Sequence, residues 1–169
     1  MGLAIRARPG RYREHTMTAT MTTTDHVTIV SGLYAAFGRG DLDGMLAPLA
    51  EDVSWDADWA DLFSQRAGIG VVAPRHGVDG AREFFALVGT FTVHDFQVLD
   101  LMASENQVVA QIVIELTYPN GGRVRDEELH LWRFNDDHKI AALRHYVDTA
   151  KHIAAWNGED TTRRPEPAV

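Results

Sequence analysis

A chain of 169 residues, 45% hydrophobic and 24% charged, is long enough for one domain with its own core and ordinary for a globular protein. It has no cysteine, which excludes disulfides, thiolate metal sites and a cysteine nucleophile, and no apolar run long enough to span a membrane. The formal charge is −8; four arginines against one glutamate make the first twenty residues +3, so the rest carries −11, a balance that repels phosphate backbones and argues against nucleic acid as a partner.

Residues 1–24 read as an extension expected to be disordered. They hold few apolar residues, no periodicity and a threonine-rich run from Thr16 to Thr24. Arginines with little acid suit an organellar transit peptide. A plain bacterial-style upstream extension, with Met17 or Met21 as alternative starts, is the stronger reading. It lacks the apolar middle of a secretory signal, and Arg6 stands where a myristoylation signal needs Ser or Thr. A single domain is expected over 25–157, cytoplasmic, followed by a polar tail over 158–169 expected to be disordered.

From Asp25 the pattern predicts a helix. Val27, Val30, Leu33, Tyr34 and Phe37 form one stripe, with Asp25 as cap and Gly38 and Gly40 at the end. A second helix starts at Asp41, with Leu42, Met45, Leu46 and Leu49 inward, and Pro48 limits it. Val53 to Trp55 fits a short strand. Residues 56–77, DADWADLFSQRAGIGVVAPRHG, read as a long irregular loop, and such loops are often functional. Its aromatics Trp59 and Phe63 beside Asp56, Asp58, Asp61 and His76 suit either a pocket mouth or a packed surface loop. Gly68-Ile69-Gly70 imitates a dinucleotide fingerprint but has no preceding strand, and Pro74 stands where a helix should run.

A third helix is predicted from about Asp79 to Gly89 on Ala81, Phe84, Phe85 and Val88. Strands follow from about Thr92 and from Val108. Pro119-Asn120-Gly121-Gly122 marks a hairpin. Ala150, Ile153 and Trp156 suit a short closing helix. Between them, RVRDEELHLWRFNDDHKIAALRHYVD (123–148) reads as two strands around a polar turn. Side chains alternate along a strand. Val124, Asp126, Glu128, His130, Trp132 and Phe134 therefore share one face, and Leu143, His145 and Val147 share one face of the next strand. Carboxylates and imidazoles among large apolar groups suit a half-enclosed cavity, because unpaired buried charge is costly. A sheet with hydrogen-bonded or solvated histidines is the plainer alternative.

Three stretches carry a resemblance. LYAAFGRGDLDGMLAPLAEDVSW (33–55) resembles the opening of the ketosteroid isomerase/SnoaL-like group, within the nuclear transport factor two-like superfamily. HGVDGAREFF (76–85) is similar to its third-helix entry, and LHLWRFNDDHKIAALRHYVDTA (129–150) to its closing hairpin. The resemblance implies an α+β fold: a cone-shaped barrel, three N-terminal helices on a curved, mostly antiparallel sheet around a pocket. It also implies a homodimer through the outer sheet face, where Leu129 and Leu131 lie. The scaffold hosts isomerases, cyclases, epoxide hydrolases and binding modules, so roles are carried position by position. The oxyanion-donor tyrosine of steroid isomerases falls on Leu33, next to Tyr34. Their general-base aspartate falls on Ala57, between Asp56 and Asp58, and their protonated aspartate on His130. SnoaL-like polyketide cyclases resemble the chain better, with a His at His130 and an acid/base Asp where this chain has His145. Limonene-type epoxide hydrolases have an Arg and an Asp, then an Asp, where this chain has Glu128, His130 and His145.

The expected chemistry follows. An imidazole near its reference pKa moves protons at neutral pH, and a neighbouring carboxylate fixes its tautomer. His145 is the expected base and His130 the oxyanion donor or partner acid. Glu128 or Asp126 is the orienting carboxylate, with Tyr34 and Asp58 on the far wall. Trp55, Trp59, Phe63, Trp132, Leu143 and Val147 are the expected substrate-binding surface. No nucleophile elbow and no recognised metal-ligand spacing occur, so neither a metal nor a cofactor is expected. The expected activity is isomerase- or polyketide-cyclase-like, on a small hydrophobic carbonyl compound. A non-catalytic ligand-binding or dimerisation module, or an epoxide hydrolase-like enzyme, is the alternative.

Overall fold

The computed structural model describes residues 20–57 and 62–162, with side chains from residue 25 on. The chain runs α1 (Thr20–Arg39), α2 (Leu42–Leu46), β1 (Leu49–Trp55), α3 (Phe63–Arg66), a 3-10 turn at Gly70–Val72, β2 (Arg75–His76) and α4 (Gly77–Val88). Then come β3 (Thr92–Ser104), β4 (Gln107–Thr117), β5 (Arg123–Phe134), β6 (Ile140–Tyr146) and α5 (Thr149–Trp156). The helices pack on one curved, open six-stranded sheet of order β2-β1-β6-β5-β4-β3, so the α+β architecture stands as expected. All neighbours are antiparallel except β1 and β6, which are parallel.

The local signals act where the residues place them. Asp41 caps α2 through Gly44 N–H at 2.9 Å. β5 alternates as its sequence does: Val124, Asp126, Glu128, His130, Trp132 and Phe134 are buried, while Arg125, Glu127, Leu129 and Arg133 face out. On the outer face Arg125 bonds Asp95 at 3.1 Å and Glu115 at 3.0 Å, and Arg123 bonds Glu115. The inner face meets Val30, Leu33 and Tyr34 of α1 and Ala81 and Phe84 of α4 in one core.

Three details differ from the sequence expectation. α1 begins at Thr20, not at Asp25, within the expected extension. The 56–77 stretch is not structureless: β2 pairs with the end of β1, and Arg75 donates to the carbonyls of Ala73 and Gly70, which ties down the 3-10 turn. The segment after α5 pairs with the sheet, Arg123 N–H donating to Glu159 and Thr161 N–H to Arg123. α5 itself lies hard against the β4–β5 turn. Gly122 permits that approach, because a Cβ there would collide with the Ala155 carbonyl.

Candidate active site

The inner sheet face, α1, α4 and α5 enclose a cavity with apolar walls and a few buried polar groups. Tyr34, Glu128, His130 and His145 line it, with Trp55, Trp132, Leu143 and Val147. The two histidines face each other across the β5–β6 ladder, His130 opposite His145, their rings perpendicular with centroids 4.4 Å apart. Phe63 is not part of this wall. It starts α3 as a residue 64% exposed among the described residues, with the Arg66 guanidinium beside its ring. Asp58 and Trp59 lie outside the described residues.

The partner of His145 is Asp56. Parallel pairing of β1 with β6 sets Trp55 beside Leu143, so the residue just past the end of β1 arrives beside His145. Asp56 bonds the Leu143 carbonyl through its N–H at 2.9 Å and turns into the left-handed region at φ +50, a strained position for a residue with a side chain. Its carboxylate then grips His145 twice: Oδ1 accepts from the backbone N–H at 2.9 Å and Oδ2 from Nδ1 at 2.6 Å. Gln65 donates to the Asp56 and Val72 carbonyls, which clamps the loop against this corner. Burial opposes charge on the His145 ring, but the Asp56 carboxylate outweighs it and raises its pKa. With Nδ1 committed to Asp56, Nε2 is the nitrogen left for a molecule in the cavity.

His130 belongs to a directed chain. Trp132 Nε1–H donates to the Tyr34 oxygen at 3.1 Å, and Tyr34 O–H lies 2.8 Å from His130 Nδ1. His130 Nε2 lies 3.2 Å from Glu128 Oε2. A carboxylate only accepts, so Nε2 carries the proton and Nδ1 accepts from Tyr34. Burial, then neighbouring His145, lower the His130 pKa against the pull of Glu128. Burial alone would raise the Glu128 carboxyl; the neighbouring His130 and His152 imidazoles outweigh it and hold it well below the usual carboxylate range. The two imidazoles are thus driven apart, one toward the charged and one toward the neutral form, which is how one site separates proton-transfer roles.

Two further groups escaped the sequence reading. His152 of α5 lies 3.0 Å from Glu128 and 3.4 Å from Asp126, and its Nδ1 lies 2.9 Å from Tyr118 Oη. Burial opposes its charge, but the flanking carboxylates push its pKa up to about 9. Phe84 of α4 stacks on His145 with ring centroids 5.4 Å apart. Asp126 is therefore the carboxylate of His152 and not of His130. The signals available were the Asp56/Asp58 pair around the family position and the acidic face of β5; a lone histidine in a short helix carried none.

The pair gives a direct test. Titration of the His145 ring by nuclear magnetic resonance is expected to show a midpoint above the ordinary 6.5, and Asp56→Asn to bring it down. Asp56, His130, Glu128 and His152 all face or act on this ring. A group raised on folding stabilises fully below its unfolded value, so the pair's contribution is complete below about 6.5 and fades as pH rises through the raised value. An unchanged midpoint in Asp56→Asn contradicts the assignment.

The family model described as the SnoaL-like domain matches residues 30–143, and the chain belongs to that family. Among solved structures it is similar to an NTF2-like protein of unknown function from Burkholderia pseudomallei K96243, at 26% identity and TM-score 0.63 over 78% of this chain and 96% of that one. It is also similar to a provisionally assigned polyketide cyclase from Xanthomonas campestris pv. campestris, at 22% identity and TM-score 0.58 over 79% and 98%. A third is TerC, co-crystallised with polyporic acid, at 22% identity and TM-score 0.59 over 74% and 92%. The NTF2-like cone fold is thereby shown. No curated protein matches by sequence. Among the described residues no helix is long and apolar enough to cross a membrane.

Proposed function

We propose that this protein is an acid/base enzyme of the SnoaL-like type that uses its own side chains to enolise, isomerise or cyclise a small hydrophobic carbonyl compound. The observation that carries the reading is the buried His145–Asp56 pair at 2.6 Å, with Nε2 left for the cavity. In the neutral form of His145, Nε2 removes a proton beside the carbonyl, and Asp56, which raises the ring's proton affinity, stabilises the imidazolium that forms. His130 supports the enolate oxygen by turning its Nε2–H from Glu128, the longer of its two hydrogen bonds, toward the substrate. Apolar walls keep water out, so a donor already in place acts with little reorganisation. Similarity in fold to the Xanthomonas protein provisionally assigned as a polyketide cyclase supports this reading.

The test is α-proton exchange. β-Tetralone, a benzo-fused cyclic ketone with a benzylic CH2 beside its carbonyl, is incubated with the protein in deuterium oxide, and deuterium uptake beside the carbonyl is followed by nuclear magnetic resonance. Saturable acceleration over a histidine buffer is expected. Binding of the ketone without acceleration would favour the alternative of a binding module.

We also propose that two copies associate through the outer sheet face. Leu129 pairs with Tyr146 there, and Met102, Val109 and Leu131 form a second row across three strands. Leu129, Met102 and Tyr146 are exposed in the single chain. Stable interfaces bury about 1,200 Å² or more in total. Light scattering is expected to give a dimer mass, and Leu129→Lys to shift it toward monomer. A monomer mass for the native chain at all concentrations rules the face out.

A further inference from the structure

The end of the cavity closed by α5 places two groups that the proposed proton transfer does not use, Asp126 and His152, beside Glu128, the partner of His130. Asp126 and Glu128 project from the same face of β5, and His152 reaches them from α5. All three are buried, His152 to 2% exposure, and one ligand atom from each lies within 4.8 Å of the others. We propose that Asp126, Glu128 and His152 bind one divalent transition-metal cation in the wall of the cavity.

The geometry around His152 Nε2 favours a cation over a hydrogen bond. The nitrogen is 3.0 Å from Glu128 Oε1 and 3.4 Å from Asp126 Oδ2, yet it is buried and, among the described residues, no acceptor is aligned to take a hydrogen from it. A hydrogen bond needs the oxygen close to the N–H axis. Metal ligation needs the reverse. Two ligands that share a cation at about 2.1 Å lie roughly 3.0–3.4 Å apart, each about 35–45° off the other's bond axis. The observed separations fall in that range.

The surroundings fit as well. Nδ1 of His152 meets Tyr118 Oη at 2.9 Å. If Nδ1 donates there, a cation that displaces the Nε2 proton takes that nitrogen's lone pair, with Nδ1–H held by its outer partner as in ligating histidines generally. Glu128 gives Oε2 to His130, which leaves Oε1 for an ion. Asp148 N–H holds Asp126 Oδ2 in place at 2.7 Å. Lys151 Nζ touches the other oxygen, Oδ1, at 3.3 Å from a side chain that is 41% exposed, so it stays on the solvent side. One imidazole and two carboxylates suit zinc or manganese better than the all-oxygen preference of calcium or magnesium. Glu128 and His152 both line the cavity, so the open coordination positions face it. A bound ion would take an oxygen donor of an enolate, catechol or carboxylate ligand there. The site was not visible in the sequence, because its third ligand comes from a separate helix with no motif spacing.

The test uses the full chain stripped by chelator. Zinc chloride titrated in a calorimeter is expected to bind one ion per chain, and Asp126→Asn, which keeps the side-chain shape, to lose that binding. Wild-type protein with substoichiometric manganese chloride gives an answer that needs no variant: amide signals of 126–128 and 151–153 broaden first. Absence of saturable zinc binding overturns the proposal. So does zinc binding unchanged in Asp126→Asn, or manganese broadening centred on the separate His26–His138 contact at 3.1 Å.

Discussion

His145→Asn is expected to lower the rate of ketone α-proton exchange by about 10²–10⁴-fold, the usual contribution of a positioned acid/base group. Asparagine is the informative replacement. Its amide can still donate to Asp56 where Nδ1 did, but it cannot take up a proton. His145→Ala would confuse two effects, because Asp56 is 1% exposed and would be left as a buried carboxylate without its imidazole. Breaking a buried charge pair typically destabilises by about 3–5 kcal/mol. Alanine is thus expected to lose both rate and stability, and asparagine chiefly rate. His138→Ala, in the β5–β6 turn, should keep the wild-type rate. Full turnover in a folded His145→Asn protein would sink the proposed mechanism.

The largest stability effect is expected at Trp132. The indole is 2% exposed, lies edge-on to Trp55 at 5.9 Å between centroids, and donates to Tyr34 at 3.1 Å. Trp132→Ala should cost about 3–5 kcal/mol in urea unfolding, from lost burial and the cavity left behind. It also removes the donor that holds Tyr34, and through Tyr34 the tautomer of His130. Trp55→Phe makes the contrast. Trp55 is equally buried, but among the described residues its Nε1–H has no hydrogen-bond acceptor, so the exchange removes an unsatisfied donor along with some volume. A distinctly smaller loss is expected there. Equal losses for Trp132→Phe and Trp55→Phe would show that the Trp132–Tyr34 bond contributes little.

Much of this molecule follows from its residues alone. Period-two alternation in 123–134 places His130 with Trp132 and Phe134 and sends Leu129 outward, because strand geometry leaves no other choice. Asn135 to His138 close the hairpin, which sets His145 opposite His130. Caps, glycines and apolar stripes place the helices within a few residues, and the resemblance supplies their packing order. The site's second half is different in kind. Asp56 meets His145 only because β1 runs parallel to β6 and ends one residue before the contact, and its φ of +50 aims the carboxylate. His152 meets Asp126 and Glu128 only because α5 folds back over a glycine turn. Period and turn chemistry are local and therefore written in the chain; partners brought together by a parallel crossover or a returning helix depend on how distant segments pack, and only the tertiary structure decides them.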